Sequence, residues 1–314
     1  MAVPERFAGI AARVNNWGRW GGHDQLGTLN LIDEEARRRA AAAVRLGVAF
    51  ALGLPLSEEE GIQIGLAHPG RVNPQRTMLT VNHPLSDDAG WICSSEDVVT
   101  MALQAATHWD ALAHVSYAGR LYNGHPASAV TEAGAWRCGI DKGGPLVTRG
   151  VLLDVARAKQ TDVLEPGYPI TGGDLDAACA MARVELSPGD AVLVRTGQMH
   201  HLCRERTRQS LFDYAFPAPG LTMDSAVWLH THDVAAVATD TFSLEVLPGE
   251  DEAIYLPVHL LHLVEMGLTQ GQNFVLDGLA EACAQDGVYT FFLDATPLPF
   301  TRGLGSPVNP VAVR

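Results

Sequence analysis

An eleven-residue stretch of the sequence, from Gln104 to His114, concentrates side chains that could carry out chemistry. It holds two imidazoles (His108 and His114), a carboxylate (Asp110) and a carboxamide (Gln104) within otherwise apolar sequence. Buried polar groups cost free energy unless they are paired or bind an ion. A stretch that concentrates such groups is therefore more typical of a site than of a hydrophobic core.

The spacing of these side chains indicates where they could meet. Gln104 and His108 are four residues apart, so on a helical turn they would face one point, and Asp110 and His114 would join them across a bend. Imidazole and carboxylate suit zinc and manganese, and such an ion polarises a carbonyl or lowers the pKa of bound water towards about 7. Without a metal, His114 could act as general base while Gln104 and backbone N–H groups stabilise an oxyanion.

Composition restricts the partners of this chain of 314 residues. Its formal net charge is −14, and 47% of its residues are hydrophobic. An acidic chain without clustered Lys and Arg is a poor partner for nucleic acid or an anionic membrane. We therefore expect a globular protein that acts on a small molecule.

Cysteine usage and the apolar pattern predict a cytoplasmic protein with no membrane partner. The sequence shows neither a basic and apolar leader at its start nor an apolar run of the roughly 18–20 residues that a bilayer span needs. The cysteines contain no CxxC pair, so they indicate neither a disulfide framework nor a zinc–thiolate cluster. The five cysteines are Cys93, Cys138, Cys179, Cys203 and Cys283.

Apolar runs and helical patterns predict the strands and helices that must position the cluster. They alternate along much of the chain, which predicts a mixed α/β fold. The candidate strands are Ala49–Leu54, Met78–Val81, Gly150–Val155, Asp190–Arg195, Val234–Ala238 and Tyr289–Asp294. The candidate helices are 33–45, 173–183, Met223–His230, Pro257–Met266 and Leu276–Gln285. With no linker in sight, we expect one domain over residues 1–314, ending in an irregular Pro/Gly-rich arm at about 297–314.

Several segments together resemble the cyclase family, which includes bacterial kynurenine formamidase and isatin hydrolase. The cluster at 108–114 resembles the family's HxGTHxDxPxH signature, Trp17–Asn30 its WGxxDxxGxxN segment, and Arg149–Asp154 its RGVLLD strand. Further segments in the family's order are 190–197, 216–221, 239–241 and 256–259. The resemblance spans about residues 15 to 285 and implies the family's swivelling β/β/α fold, a central β-layer flanked by helices.

The resemblance also implies roles for individual residues. His108 and Asp110 would be metal ligands, His114 the catalytic proton donor and acceptor, and His259 a further ligand or catalytic group. The Leu-Pro-Val-His context favours His259 over His262, although either could be the family's histidine. Trp20 would line the substrate pocket within an N-terminal segment of about residues 15–32.

Two departures from the family pattern concern the metal. Gln104 replaces the family's first histidine, and Gln272 stands where the family has a late glutamate ligand. Neutral amides lower the negative charge of the site, so the resemblance no longer implies two zinc ions. We expect one divalent ion (Mn²⁺ or Zn²⁺), with Gln104 beside His108 and Asp110 as ligands, or a metal-free site.

Two other residues have both a structural and a functional interpretation. Tyr122 is a candidate substrate contact, although the following Asn-Gly is typical of an ordinary turn. Asp240 ends an apolar strand, and its carboxylate could bond Thr241 or the backbone, or else orient His108 or His259. Gln272 is assigned to the same supporting role.

The sequence therefore predicts an enzyme, most simply a hydrolase or cyclase acting at the carbonyl–heteroatom bond of a small amide, lactone or N-acyl arylamine. A homodimer or homotetramer is expected. Two alternatives stay open. One is a metal-independent cyclase, dehydratase or lyase that uses the same histidine, and the other is a binding protein that has lost turnover.

Overall fold

A computed structural model describes residues 3–65, 68, 70–87, 90–200, 202 and 207–314 of the chain. Short and long strands alternate with helices. The strands are β1 (Ala49–Ala51), β2 (Gln75–Pro84), β3 (Cys93–Thr100), β4 (His108–Asp110), β5 (Val130–Thr131), β6 (Gly134–Ala135), β7 (Val147–Asp154), β8 (Pro169–Ile170), β9 (Ala191–Arg195), β10 (Gly220–Leu221), β11 (Ala236–Thr239), β12 (Thr269–Gln272), β13 (Thr290–Asp294), β14 (Gly305–Pro307) and β15 (Val311–Val313). The α-helices are α1 (Glu5–Val14), α2 (Glu34–Ala42), α3 (Val155–Ala158), α4 (Gly172–Ala182), α5 (Arg208–Ala215), α6 (Met223–Thr231), α7 (Pro257–His259) and α8 (Asp277–Asp286). A π-helix, Leu260–Met266, continues α7, and short 3₁₀ turns lie at 27–31, 122–124, 127–129 and 140–142.

The centre of the molecule is a sheet of nine strands in the order β1-β15-β13-β7-β9-β11-β12-β4-β14. Neighbouring strands from β7 to β12 run parallel, and the pairs towards both edges are antiparallel. The mixed α/β fold predicted from the sequence is confirmed. Five of the predicted strands lie in this sheet, as β1, β7, β9, β11 and β13, whereas Met78–Val81 lies in β2 of a separate ribbon.

Both faces of the sheet are covered by hydrophobic cores. Alternate residues of the central strands point to opposite faces, so Val151 and Val192 join the core under α1, α4 and α6, while Leu152 and Leu193 join the core on the other face. Continuous β-branched and aliphatic runs are typical of such doubly covered parallel strands. Their burial fixes the register of the sheet and thereby the position of β4 near its edge.

The C-terminal arm is not irregular, and the prediction for residues 297–314 is wrong in this respect. β14 pairs with β4, and β15 lies between β1 and β13 in the central sheet. Both strands are three residues long and lie among prolines and glycines, so local composition does not reveal them. Their partners are distant in sequence, and tertiary pairing decides their conformation.

The starts of several helices agree with the capping rules. The Asp33 carboxylate accepts a hydrogen bond from Ala36 N at the start of α2, and Thr171 and Thr222 begin α4 and α6 with reciprocal capping boxes. The predicted helices are present within about three residues at each end. None of the described helices has both the length and the apolar character that crossing a bilayer requires.

Candidate active site

Strand β4 places His108 and Asp110 on the same side of the sheet, because side chains two apart along a strand share a face. Trp109 points the other way into the core, where its Nε1 donates to Ala295 O at 2.7 Å. The helical turn expected to bring Gln104 and His108 together is therefore wrong. Residues 103–107 form turns and bends, and pairing with β12 and β14 on either side holds 108–110 extended.

Three imidazoles surround the buried carboxylate of Asp110. His108 Nε2 lies 3.5 Å and His114 Nε2 lies 3.8 Å from Oδ1, and His259 Nε2 lies 3.9 Å from Oδ2. Burial by itself would raise the pKa of Asp110, but the neighbouring imidazoles, His114 foremost, outweigh it and lower the pKa. The carboxylate is therefore ionised at neutral pH.

The Oδ1 side of Asp110 receives no hydrogen bond from the described residues. His108 Nδ1 lies 2.8 Å from Ala106 O, and donation to that carbonyl leaves the lone pair of a neutral imidazole on Nε2. Asp110 Oδ1 is buried and has no hydrogen-bond partner among the described residues. Two acceptors thus face each other across 3.5 Å, an arrangement that calls for a proton or a cation between them.

His114 reaches this open side from the turn that follows β4. Its backbone N–H donates to Ala111 O at 2.8 Å, which folds the chain back towards Asp110. The side chain keeps 24% of its surface exposed, unlike Asp110 and His108. Burial lowers the pKa of His114, and the charge of Asp110 only partly offsets this effect. At neutral pH the imidazole is an accessible base.

The Oδ2 side of Asp110 is closed by two amides of β12. Gln270 Nε2 donates to Oδ2 at 3.0 Å and Gln272 Nε2 donates at 3.1 Å. The Gln272 nitrogen also lies 3.2 Å from His259 Nε2. Both glutamines reach the same point because they are two apart on a strand that pairs with β4. Gln272 thus lies in contact with the cluster, as a donor to the carboxylate.

His259 is held by Glu245, a buried residue that no sequence pattern singled out. The Glu245 carboxylate accepts from the backbone N–H groups of Val258 (3.2 Å) and His259 (3.0 Å) at the start of α7, and from His259 Nδ1. Burial would lower the pKa of His259, but Glu245 outweighs it and the pKa is raised. When the imidazole is neutral, the proton is on Nδ1 and Nε2 is free to accept from Gln272.

Of the two candidate histidines on this helix, His259 contacts Asp110, whereas His262 lies behind Gln270. His262 Nδ1 is 3.1 Å from Gln270 Oε1, and its Nε2 is buried without a partner among the described residues. Burial lowers the pKa of His262 to about 3. His262 is therefore a neutral group that positions Gln270, which in turn donates to Asp110.

Gln104 lies against the edge strand that covers Asp110 from outside. Gly305 pairs with Asp110, and a Cβ on Gly305 would lie 2.5 Å from Gln104 Nε2. The amide thus fills the space that the missing side chain leaves. Its predicted roles as metal ligand and substrate contact stay predictions.

The N-terminal segment 15–32 packs beside the site. Trp17 Nε1 donates to Val264 O at 2.7 Å, and Gly18 N donates to the Asn123 side chain at 2.8 Å. Trp20 is half-buried, with the guanidinium of Arg19 at 4.7 Å from its ring centre. The contact of Trp20 with a substrate stays a prediction.

Tyr122 and Asp240 lie in structural positions. Tyr122 is fully buried, and its hydroxyl donates to Asp24 Oδ2 at 3.0 Å, so a substrate contact by this side chain is excluded in this conformation. Asp240 accepts hydrogen bonds from Thr196 and Gly197 at 2.7–2.8 Å, which fix the end of β9. The role in orienting His108 or His259 falls to other residues, since Ala106 and Glu245 hold those imidazoles.

Sequence reasoning missed three contributors to the site: Glu245, Gln270 and Arg71. Arg71 is half-buried, and its charge acts on Asp110, His114 and His259. None of the three belongs to a short motif. A local signal exists for Glu245, which stands between Leu244 and Val246 in an otherwise apolar run.

The donor atoms fit one divalent ion in chemical type, but not two. His108 Nε2 and Asp110 Oδ1 present lone pairs to the same space, which is the set that zinc or manganese accepts. Oδ2, which a second ion would need, already accepts from Gln270 and Gln272. Within the described residues, no group of three or more His, Cys, Asp or Glu side chains is placed so that it could hold a metal ion.

Comparison with known proteins identifies relatives of this chain. A family model described as putative cyclase matches residues 55–246, more than half of the chain. A crystal structure described as a novel cyclase is 35% identical, covers 96% of this chain and all (100%) of its own, and superposes with a TM-score of 0.87. A search of curated proteins gave no match.

More distant structures share the fold. Isatin hydrolase A from Ralstonia solanacearum is 19% identical, covers 88% of this chain and 95% of its own, and has a TM-score of 0.63. A predicted metal-dependent hydrolase from Bacillus stearothermophilus is 19% identical, covers 84% and 97% of the two chains, and has a TM-score of 0.51. At these identities the likeness concerns the fold.

Proposed function

The chain belongs to the putative cyclase family, and on that premise we propose that it hydrolyses, or forms in reverse, a carbonyl–heteroatom bond of a small molecule. The substrate class is an amide, a lactone or an N-acyl arylamine. Solved structures of the same fold are described as isatin hydrolases and as a predicted metal-dependent hydrolase. These relatives support the reaction class, and the side chains around Asp110 support the mechanism.

One observation carries the proposal. Asp110 Oδ1 is buried without a hydrogen-bond partner among the described residues, and it faces the imidazole nitrogens of His108 and His114. An unsatisfied carboxylate oxygen of this kind is costly in a structural core. The cost is understandable where the oxygen binds a cation or receives a proton during a reaction.

His108 Nε2 and Asp110 Oδ1 would hold a single divalent ion, Mn²⁺ or Zn²⁺. When bound, such an ion polarises the substrate carbonyl and makes water a stronger nucleophile at neutral pH. Gln104 stays the proposed third donor. The amides of Gln270 and Gln272 keep Oδ2 occupied, which leaves the carboxylate to act through Oδ1 alone.

His114 moves the proton. Its lowered pKa makes it neutral at neutral pH, so it takes a proton from the attacking water and then gives it to the leaving nitrogen or oxygen. Asp110 Oδ1, 3.8 Å away, stabilises the imidazolium that forms between these two steps. His259, held by Glu245, lies 3.9 Å from Asp110 on its Oδ2 side and helps to keep the carboxylate in place.

A second candidate is a metal-independent cyclisation, dehydration or elimination with His114 as acid and base. It is favoured by the amide at position 272, which donates to Asp110 where an acidic ligand would bind a metal. Chemistry of this kind needs the proton transfer alone. The two candidates use the same protein groups. They differ in whether an ion must be bound at His108 and Asp110.

The experiment is a hydrolysis assay of formanilide, an aryl lactone and a cyclic amide, on protein purified without chelator. The first candidate predicts turnover that EDTA abolishes and Mn²⁺ or Zn²⁺ restores, and that Asp110→Asn removes. Turnover that is equal with and without EDTA would eliminate the metal ion from the mechanism. Substrate binding that persists without turnover, and that His114→Ala leaves intact, would point to a binding protein instead.

We also propose a cytoplasmic homo-oligomer. The four cysteines among the described residues, Cys93, Cys138, Cys179 and Cys283, are all free thiols, as a reducing compartment would keep them. Cys203 lies outside the described residues. Support for self-association comes from the ribbon of β2 and β3, whose large apolar side chains are exposed.

A further inference from the structure

Glu265 is a buried residue near the end of the π-helix that continues α7, and its carboxylate joins three separate parts of the chain. Its exposed fraction is 5%. One carboxylate oxygen accepts a hydrogen bond from the Tyr117 hydroxyl, and the other accepts from the Asn15 amide. Glu265 thus connects the loop that follows β4 and the N-terminal segment to the helix that carries His259.

The helix end that carries this carboxylate is itself held in place. The last carbonyl groups of a helix have no partner within it, and here the N-terminal segment supplies donors to three of them. Trp17 Nε1 donates to Val264 O at 2.7 Å. Asn16 donates to Glu265 O through its backbone N–H at 3.0 Å and to Met266 O through its amide at 2.9 Å. A group that is bonded to the Glu265 carboxylate is therefore held against a fixed support.

His114 lies in the loop that follows β4, and this loop is anchored on both sides of the histidine. Before His114, Ala113 N donates to Cys138 O at 3.0 Å. After it, the side chain of Tyr117 is bonded to Glu265, and the three-residue step from 114 to 117 spans at most about 10 Å. The second anchor therefore limits how far the imidazole can move.

Tyr117 is the group through which this second anchor acts. Its hydroxyl donates to Glu265, and its ring packs edge-on against Phe7 with the ring centres 5.5 Å apart. In the described part of the chain, the other hydrogen bonds of residues 115–117 stay within the turn that closes at Arg120. Burial and the bond to Glu265 raise the pKa of Tyr117, so the phenol keeps its proton at neutral pH and is the donor.

We propose that Glu265 is a positioning residue for the reaction, which through Tyr117 holds His114 where its Nε2 faces Asp110 Oδ1. These two atoms lie 3.8 Å apart, and a displacement of about 1 Å in a reacting group costs about 10²-fold in rate. Glu265 acts on position alone, because its carboxylate is bonded to Tyr117 and Asn15. This assignment rests on the proposed function, in which His114 is the base, and it adds the residue that sets the place of that base.

The test removes the Tyr117 hydroxyl and compares Tyr117→Phe with wild type and with Tyr168→Phe. Tyr168 is a matched control, because its hydroxyl also donates to a carboxylate, Asp174 Oδ1 at 3.2 Å, and both rings pack against the same hydrophobic core. Glu265→Gln and the double variant complete a cycle. The rates are measured on whichever substrate of the hydrolysis assay is turned over, and circular dichroism confirms that each variant is folded.

Tyr117→Phe should lower kcat about 10- to 100-fold and leave KM within about two-fold, because substrate binding does not depend on the place of the base. Tyr168→Phe should keep the kcat and KM of wild type. Glu265→Gln should lie between wild type and Tyr117→Phe, since a carboxamide oxygen still accepts the Tyr117 proton. The double variant should be no slower than Tyr117→Phe, because both changes break one interaction.

A second measurement needs no turnover. Diethyl pyrocarbonate acylates accessible neutral imidazoles, and mass spectrometry gives the rate at each histidine, with His83 on the exposed β2 as the reference within the same molecule. In Tyr117→Phe, the loop that carries His114 opens more often. His114 should therefore react several-fold faster relative to His83 than it does in wild type or in Tyr168→Phe.

A kcat in Tyr117→Phe equal to that of wild type, or an equal loss in Tyr117→Phe and Tyr168→Phe, would overturn the assignment. An unchanged acylation rate of His114 would do the same. Absence of turnover in wild type would instead count against the proposed function, and the acylation rates would then decide the role of Glu265. If Tyr117→Phe does not fold, Glu265→Gln takes its place in both comparisons.

Discussion

The carboxylate of Asp110 makes opposite kinds of contact through its two oxygens. Oδ2 accepts two amide N–H groups from β12, whereas Oδ1 faces His108 and His114 with no donor in hydrogen-bond distance among the described residues. The amides fix the orientation of the group without neutralising it. In the proposed function, this asymmetry leaves Oδ1 as the oxygen that binds a cation or receives a proton.

The proposed base gives a pH dependence for activity. The pKa of His114 is lowered by burial, so kcat/KM should be constant around neutral pH and fall only below about pH 6.5, as the imidazole is protonated. His114→Ala should lose about 10²- to 10⁴-fold in kcat and lose this acid limb. Rate profiles from pH 4 to 8 measure both, with His83→Ala on the exposed β2 as control. Retention of the acid limb in His114→Ala would assign the base elsewhere.

His262 predicts a pH dependence of stability that is separate from activity. Its folded pKa, about 3 because of burial, lies below the value of about 6.5 in the unfolded chain. Between these values the unfolded state binds a proton and the folded state does not, so stability falls as pH is lowered, by at most about 1.4 kcal/mol per pH unit from this group. In urea titrations His262→Gln should show a shallower fall than wild type or His83→Gln. An unchanged slope would contradict this account.

The sequence predicted those site residues that lie in one short segment. It did not predict the residues that contact this segment from distant parts of the chain. His108, Asp110 and His114 stand within seven residues of one another, and imidazoles next to a carboxylate are a strong local signal. Glu245 and Gln270 reach the same cluster from distant parts of the chain. Their contribution depends on tertiary distance, which spacing in one sequence does not encode.

Strand β4 is the element on which the site depends, and it is three residues long. Its extended conformation comes from pairing with β12 on one side and β14 on the other. The four-residue spacing of Gln104 and His108 favoured a helical turn, but strand pairing with distant partners overrides such a local preference. Side chains alternate between the two faces of a strand, so His108 and Asp110 lie on one face of β4 and Trp109 points into the core on the other.

Gly305 of β14 offers a test of this arrangement. A Cβ there would lie 2.5 Å from Gln104 Nε2 and 2.9 Å from the backbone oxygen of Trp109, so β4 and β14 must separate. Gly305→Ala should lower the free energy of unfolding by about 1–3 kcal/mol and reduce activity, because the backbone that carries Asp110 shifts. Gly278→Ala is the control, since nothing lies within 4 Å of its added Cβ in α8.

Chemical denaturation and initial rates measure the two effects. The helical control should be neutral or slightly more stable than wild type. If Gly305→Ala matched wild type in both measurements, the close packing of Gln104 against β14 would not be part of the site. The position of β4 would then depend on its pairing with β12 alone.

The whole molecule combines a covered central sheet with one poorly covered appendage. The long buried runs of β7, β9 and β11 made the α/β fold predictable from sequence, because parallel strands covered on both faces carry continuous apolar residues. The ribbon of β2 and β3 is different. It forms a separate two-stranded sheet, and such a ribbon is marginally stable in water unless something packs on it.

The ribbon predicts self-association. Its large apolar side chains are exposed, and Trp91 at its tip is 84% exposed. The exposed set is Met78, Leu79, Val81, Leu85, Trp91, Ile92, Val98 and Val99. Apolar patches of this kind are typical of interfaces, and most soluble oligomers are symmetric copies of one chain. We expect a dimer whose ribbons cover each other.

Light scattering after gel filtration should give twice the 33.6 kDa chain mass or a multiple of it. Val81→Asp should shift the protein towards monomer, because a charge would be buried in the contact. Leu46→Asp is the control, since Leu46 is 64% exposed and lies outside the ribbon. A monomeric wild type, or an oligomer that Val81→Asp leaves intact, would remove the ribbon from the interface.

The central claim is that His108 and the Oδ1 side of Asp110 form one cation site, and calorimetric titration of EDTA-treated protein with Mn²⁺ tests it directly. We expect one ion per chain, bound in wild type and lost in His108→Ala. His83→Ala should bind as wild type does. Two ions per chain, no binding, or binding that survives His108→Ala would contradict the account.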